Sequence, residues 1–430
     1  MSMYAADLLL HLVHPAVILC AAVAVVAVGR FAARRLRQPE VIGEIAAGLV
    51  AGPVAMRLLG PHRFHSLLPD HALADLKLVA QAGLVLFMVG LAHELRLGSA
   101  RPTGRATGWV AAGSFLPALA AGGLLAGWVL LTGGTHLRGS APTPAFVLMI
   151  AVSMSITAVP VLARILDDRG MTETEAGRVA LSSAIVIDAI SWLMLVVAVG
   201  LRTGRLDGFL RSCGALAGGV AVAWLLRRAL STRTADRLCA RFPGSAAVLL
   251  GAVAIAMARG MEEAGMTAIL GAVLTGLAVP ARRVAWTAAV VSVTRVGRIL
   301  LPIFFVASGI TVLTKALGAV PVTLVALTTV LGIAGKVLGG HVGAWLGGYH
   351  RWDALRVGCL MNTRGLTELI VLQVGYSTGV LTPAIFLAFV VMALITTALT
   401  GPFLQLIDRT ETRYRPTWRR RPTYAEGDAQ

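Results

Sequence analysis

Apolar runs of roughly 18 to 25 residues recur along the whole chain, separated by short polar turns, and each is long enough to cross a bilayer as a helix. Their order predicts an all-α polytopic membrane protein with about thirteen spans. These lie near 13–33, 40–57, 74–95, 108–132, 144–166, 177–200, 208–230, 246–260, 266–280, 299–314, 321–347, 354–378 and 382–406. The eighth and ninth are short and divided by the polar turn RGMEEAG. The spans group into two halves, about 13–200 and 246–406, with a linker span at about 208–230. Together they form one membrane domain over 1–408, followed by a short basic tail, 409–430.

Two runs are interrupted in the middle. The fifth reads SMSITAVPVLARILDDRG, with Ser155, Thr157 and Pro160 breaking its apolar character. Proline lacks an N–H and frees a carbonyl one turn back. The twelfth reads GCLMNTRGLTELIVL, where Asn362, Thr363, Arg364, Gly365 and Thr367 form a polar patch between apolar halves. Broken backbone at membrane depth is tolerated only where it lines a cavity or the protein interior. Interrupted spans at matching positions in two halves mark an inverted-repeat transporter with a midplane site. The halves share no residue-level similarity, so this pairing rests on placement.

Composition agrees with the pattern. Hydrophobic residues make up 57% and charged residues 14%, against about 25% charged in a soluble domain; the mean hydropathy is +0.79. The N-terminus MSMYAADLLLHLVHPAVILC has neither a basic leader nor a small-residue cleavage pattern, and is expected to enter the first span. Cys20, Cys213, Cys239 and Cys359 are scattered and offer no metal or disulfide framework, and no cofactor is implied. No P-loop, metal-spaced histidine set or nucleophile elbow suggests an enzyme.

A net charge of +17 raises a nucleic-acid reading, and its distribution argues against it. Roughly three quarters of the loop lysines and arginines fall on one side of the expected membrane, as the positive-inside rule produces. That side is the cytoplasm, so the N-terminus is expected outside and the C-terminus inside. The tail RYRPTWRRRP would face anionic headgroups of the bilayer.

The ionisable residues within spans are Glu44, Asp188, Lys336, Arg364 and Glu368. Such residues mark ion paths by default. Asp188 shares a helix face with Ala184 and Ser191, small residues that leave room for an ion or water. One carboxylate holds a proton or a cation but not both, and exposing it alternately to each side suffices for antiport. The bland alternative is a packing acid paired with Lys336 or Arg364. Ser155 and Thr157 add the hard oxygen ligands a bare monovalent cation prefers. Lys336, in LGIAGKVLGGHVG, is a core counter-charge or proton carrier, or else neutralises helix carbonyl ends at the crossing. Arg364 stays charged and pairs with Glu368 at i+4 as structure. Glu44 pairs or snorkels near a span end.

Several of these segments together resemble cation:proton antiporter family 2. The stretches are RQPEVIGEIAAGLVAGP, LVLFMVGLAHEL, SITAVPVLARILDDRG, PIFFVASGI, GKVLGG and LMNTRGLTELIVL, in the family's order over the whole membrane region. The resemblance implies an inverted-repeat fold with a core domain, a dimerisation domain and crossed broken helices at the fifth and twelfth spans. It also implies an H⁺ for Na⁺ or K⁺ exchanger of the plasma membrane, working as a homodimer. Asp188 matches the family's ion-binding aspartate, Thr157 its hydroxyl at the crossing, and Lys336 its core basic residue. Where relatives carry Asp, Asn or Gln before the aspartate, this chain has Ile187, so Lys336 lacks an acid partner. That departure points to electroneutral exchange. The tail after Asp408 is far shorter than the nucleotide-binding domain of the potassium-efflux branch, so gating of that kind is not expected. Two other readings stay open: a carrier of the same fold for an organic anion or drug, bound by Arg364, and a transport-inactive sensor or assembly member.

Overall fold

The computed structural model describes residues 2–36, 38–67, 70–97, 104–132, 134–204, 207–280, 283–313 and 321–414. The regular elements among the described residues are all helices. Its first half contains α1 (Ser2–Arg35), α2 (Glu40–Leu67), α3 (Asp70–Leu97), α4 (Gly104–Thr132), the short α5 (Gly134–Arg138), α6 (Thr143–Ser155), α7 (Val159–Asp168) and α8 (Glu175–Thr203). Then come α9 (Asp207–Leu230) and the short amphipathic α10 (Arg233–Arg241). The second half contains α11 (Pro243–Glu263), α12 (Ala268–Ala278), α13 (Val284–Leu313), α14 (Val322–Ile333), a π-helical turn (Ala334–Leu338), α15 (Gly339–Leu346), α16 (Arg351–Met361), α17 (Leu366–Ser377) and α18 (Pro383–Tyr414). Much of the expected basic tail, 415–430, and several loop cations of the charge census (Arg37, Arg101, Arg282, Lys315) lie outside the described residues.

Local chemistry sets the boundaries. Thr174 caps α8 by accepting from the Gly177 N–H at 3.1 Å, and Thr267 caps α12 by accepting from Ile269 at 3.2 Å. The C-terminus of α8 closes on Gly204 in the left-handed region, φ +73°. Pro160 sits in the first turn of α7, where its missing N–H has no helical partner to lose. It therefore opens a second half-helix instead of kinking a continuous one.

Ten helices among the described residues are long and apolar enough to cross a membrane. Length and apolarity alone thus do not establish the expected thirteen. The α12 helix has only 11 residues, and α16 and α17, at 11 and 12 residues, are separated by a break.

Packing divides the helices differently from sequence order. The α1, α2 and α3 helices pack with α11, α12 and α13 in one bundle. In the other, α4 packs on α6, α8 and α15, while α16 packs on α8, α15 and α18. The bundles meet where α7 contacts α2 and α3, α17 contacts α13, and α18 contacts α2. Each half thus supplies a long helix, a broken pair and a second long helix to the same bundle. Close approach inside it depends on glycine: a Cβ on Gly339 would stand 2.2 Å from the Gly113 carbonyl oxygen of α4.

Candidate functional site

The two broken spans meet at their breaks. The chain leaves helical geometry at Ile156 (φ −65°, ψ 145°) and re-enters it after Ala158 (φ −76°, ψ 95°). In the other span it leaves after Asn362 and re-enters after Gly365, whose φ of +156° and ψ of −135° suit only glycine. The Ala158 N–H donates to the Thr363 carbonyl at 3.1 Å, so the breaks are joined backbone to backbone.

A half-helix ending inside the protein leaves carbonyls without intrahelical donors and carries a partial negative charge. At the end of α6 two cations meet both demands. Arg364 donates to the Ser153 carbonyl at 3.0 Å and to the Met154 carbonyl, and Lys336 donates to the Ser155 carbonyl. Lys336 also reaches the Thr157 hydroxyl at 2.8 Å and the Ser114 hydroxyl at 3.4 Å. The Thr157 hydroxyl in turn donates to the Met361 carbonyl at the end of α16, at 3.3 Å. Each break therefore caps the other's half-helix. Lys336 projects from the π-helical turn, a local irregularity often found at functional sites.

The second break is held from α18. The Thr397 hydroxyl accepts from the Arg364 N–H at 2.9 Å and donates to the Arg364 carbonyl at 2.8 Å. Asn362 donates to the Thr396 carbonyl at 3.1 Å. Arg364 and Glu368 form the expected i,i+4 ion pair, 3.2 Å apart and both fully buried. Lys336 lies within electrostatic reach of both but makes no ion pair among the described residues.

Asp188 stands apart from these charges. It is 1% exposed on α8, a helix that packs against both α6 and α7. Neither carboxylate oxygen has a hydrogen bond, and among the described residues no ion pair links it to Lys336 or Arg364. Its polar neighbour is Trp192, one turn on. The alternative of a packing acid paired with a core cation is therefore not what the geometry shows. The Ser155 hydroxyl donates to Val152 of its own helix at 2.9 Å, so its carbonyl rather than its hydroxyl meets Lys336.

A separate ionic network covers the far end of α7. Arg164 approaches Asp168 at 3.2 Å and Glu40 of α2 at 3.7 Å, while Asp167 pairs with Arg298 of α13 at 3.0 Å. Glu44, fully buried, pairs with Arg30 at 2.7 Å, as its place near a span end suggests. These contacts tie the broken helix to the neighbouring bundle.

The structure brings Ser155, Thr157, Lys336, Asn362, Thr363, Arg364, Gly365 and Glu368 to one crossing. Pro160 opens α7 beside it, and Asp188 lies on a helix packed against it. Sequence reading overlooked Ser114, Thr396 and Thr397. Their only signal is a pair of adjacent threonines in the last span and a serine in the fourth, and polar residues of that size are common inside membrane helices.

A family model described as "Sodium/hydrogen exchanger, transmembrane" matches residues 20–407. The Na⁺/H⁺ antiporter NhaS4 of Synechocystis is 32% identical over 375 residues, covering 86% of this chain and 91% of that protein. Cation/H⁺ antiporter 18 of Arabidopsis thaliana is 32% identical over 88% of this chain but only 47% of its own length. K⁺/H⁺ antiporter 1 of Saccharomyces cerevisiae is 28% identical over 86% of this chain and 44% of its own length. The chain thus spans about half the length of these plant and yeast relatives. Among solved structures, the sodium proton antiporter MjNhaP1 of Methanocaldococcus jannaschii superposes with a TM-score of 0.60, covering 93% of this chain and 98% of that one at 16% identity. That likeness is one of fold.

Proposed function

The chain belongs to the sodium/hydrogen exchanger family of monovalent cation:proton antiporters, multi-pass membrane proteins, and from that premise we propose that it exchanges H⁺ for Na⁺ or K⁺ by alternating access at Asp188. The observation that carries this reading is the isolation of that carboxylate: buried, with both oxygens unpaired. An ionised carboxylate at that depth without a counter-ion is costly. A proton or a transported cation must therefore neutralise it, and one displaces the other.

Lys336 claims the Ser155 carbonyl and the Thr157 hydroxyl at the crossing, and so stabilises the half-helix end without competing for Asp188. With Ile187 beside it and no second free carboxylate on that face, the exchange is one proton for one cation, hence electroneutral. Relatives named for Na⁺/H⁺ and for K⁺/H⁺ exchange place both ions in the candidate set. The protein resides in the plasma membrane as a homodimer, with its C-terminus in the cytoplasm.

An organic-anion carrier using Arg364 is disfavoured because both terminal nitrogens of that guanidinium are committed to α6 carbonyls and Glu368. A transport-inactive role has no comparable observation behind it. The test is cation-induced dissipation of an imposed pH gradient in proteoliposomes. Wild type responds to Na⁺ or K⁺, Asp188→Asn does not, and clamping the membrane potential leaves the wild-type rate unchanged. Full exchange by the Asn variant would remove Asp188 from the site, and a potential-dependent rate would overturn the one-for-one ratio.

A further inference from the structure

Buried hydroxyls in these helices mostly donate back to their own backbone. Thr275 gives to Gly271 at 2.9 Å, Thr294 to Val290 at 2.8 Å, Thr328 to Leu324 at 2.8 Å and Thr396 to Met392 at 2.9 Å. That bond is the ordinary resting place of a serine or threonine hydroxyl in a helix interior. Ser191 departs from it. It is fully buried in the middle of α8, and its hydroxyl has no hydrogen-bond partner. An unpaired buried hydroxyl is a cost that native proteins rarely leave standing.

Its position suggests what completes it. Ser191 lies three residues after Asp188, so the two side chains share a helix face with Cβ atoms about 5–6 Å apart. Two carboxylate oxygens and one hydroxyl oxygen, all buried and all unpaired, therefore stand on one face within a single turn. Trp192, one turn beyond Asp188, is the polar neighbour on that stripe, and neither carboxylate oxygen has a hydrogen bond to it. Ala184 and Ile187 carry no polar atom, and the Ser183 hydroxyl donates to the Thr107 carbonyl of α4 at 3.1 Å. A group of hard oxygens left without hydrogen bonds is suited to a small cation.

We propose that Ser191 is a direct ligand of the transported cation, binding it together with Asp188 and setting which alkali ion is preferred. This rests on Asp188 being the exchange site. Serine oxygen coordinates through a lone pair while its proton turns away, so occupancy requires no change in protonation. A proton on Asp188 needs no second ligand, whereas a dehydrated cation does. Ser191 therefore weights the competition towards the cation without carrying charge itself.

The experiment is a titration of exchange rate against Li⁺, Na⁺ and K⁺ in proteoliposomes holding wild type, Ser191→Ala or Ser191→Cys. Cysteine keeps the volume nearly unchanged and replaces a hard oxygen with a soft sulfur, a poor alkali-ion ligand. Both variants are expected to raise the half-saturating concentration of the preferred cation by about fivefold or more. Their maximal rate is retained and their order of preference among the three ions is altered. Unchanged half-saturation and preference in either folded variant would overturn the assignment, as would a loss of maximal rate alone. A wild type without cation-dependent exchange would instead overturn the function proposed for Asp188, so the two failures are distinguishable.

Discussion

Arg364 holds more of the crossing together than any other single side chain. It is fully buried, donates to two carbonyls at the end of α6 and pairs with Glu368. Removing one member of a buried pair leaves an uncompensated charge, which costs about 3–5 kcal/mol. Arg364→Ala is therefore expected to lower the thermal unfolding midpoint of the purified protein sharply. Arg364→Ala combined with Glu368→Gln should lose less, because the stranded carboxylate goes with its partner. A single variant as stable as wild type would contradict this account. Sequence made the i,i+4 pair legible, since helical spacing brings those residues together wherever the helix lies. It could not show that the arginine caps the other broken span, 210 positions away in the chain. Lys336 follows the same pattern. Its burial among small residues was readable, but its anchorage on Ser155 and Thr157 depends on where a distant half-helix ends.

The broken spans depend on elements that approach within backbone contact. The π-helical turn and α15 lie against α4, with Gly339 facing the Gly113 carbonyl. A side chain there has no space, and overpacking of this kind costs about 1–3 kcal/mol or more. Gly339→Val is thus expected to reduce the yield of monodisperse protein and to shift Lys336 away from the crossing, whereas Gly123→Ala, facing open space on α4, is expected to be neutral. Size-exclusion profiles of the two variants decide the matter. The glycine run around Lys336 announced a close approach, but the partner surface on α4 was not legible. Small residues permit contact with many neighbours and name none. Pro160 teaches a related lesson: a proline inside an apolar run is equally a kink or a new beginning. The extended geometry at Ile156 and Ala158 makes it the second.

Across the whole molecule, charge asymmetry sets the expected orientation. A fluorescent protein fused after Gln430 should fold and fluoresce in intact cells, as it does only when the C-terminus is cytoplasmic, and the purified protein should have the mass of two chains by light scattering. A dark fusion would reverse the topology, and a single-chain mass would remove the homodimer. The ionic contacts of Arg164, Asp167 and Arg298 tie α7 to the neighbouring bundle, so the bundles touch through the segment that carries one break.

The sequence by itself determined the class, the approximate spans, the two interruptions and the short list of intramembrane charges. Hydropathy, helix spacing and the cost of burying charge are local properties that any fold must respect. Tertiary structure alone decided that each half divides between two bundles, and that both breaks cap one another. It also left Asp188 and Ser191 unpaired while Lys336 and Arg364 found backbone partners. Those outcomes turn on which helix ends meet in space, and hydrogen bonds between half-helices far apart in the chain leave no periodic trace in the residues that make them.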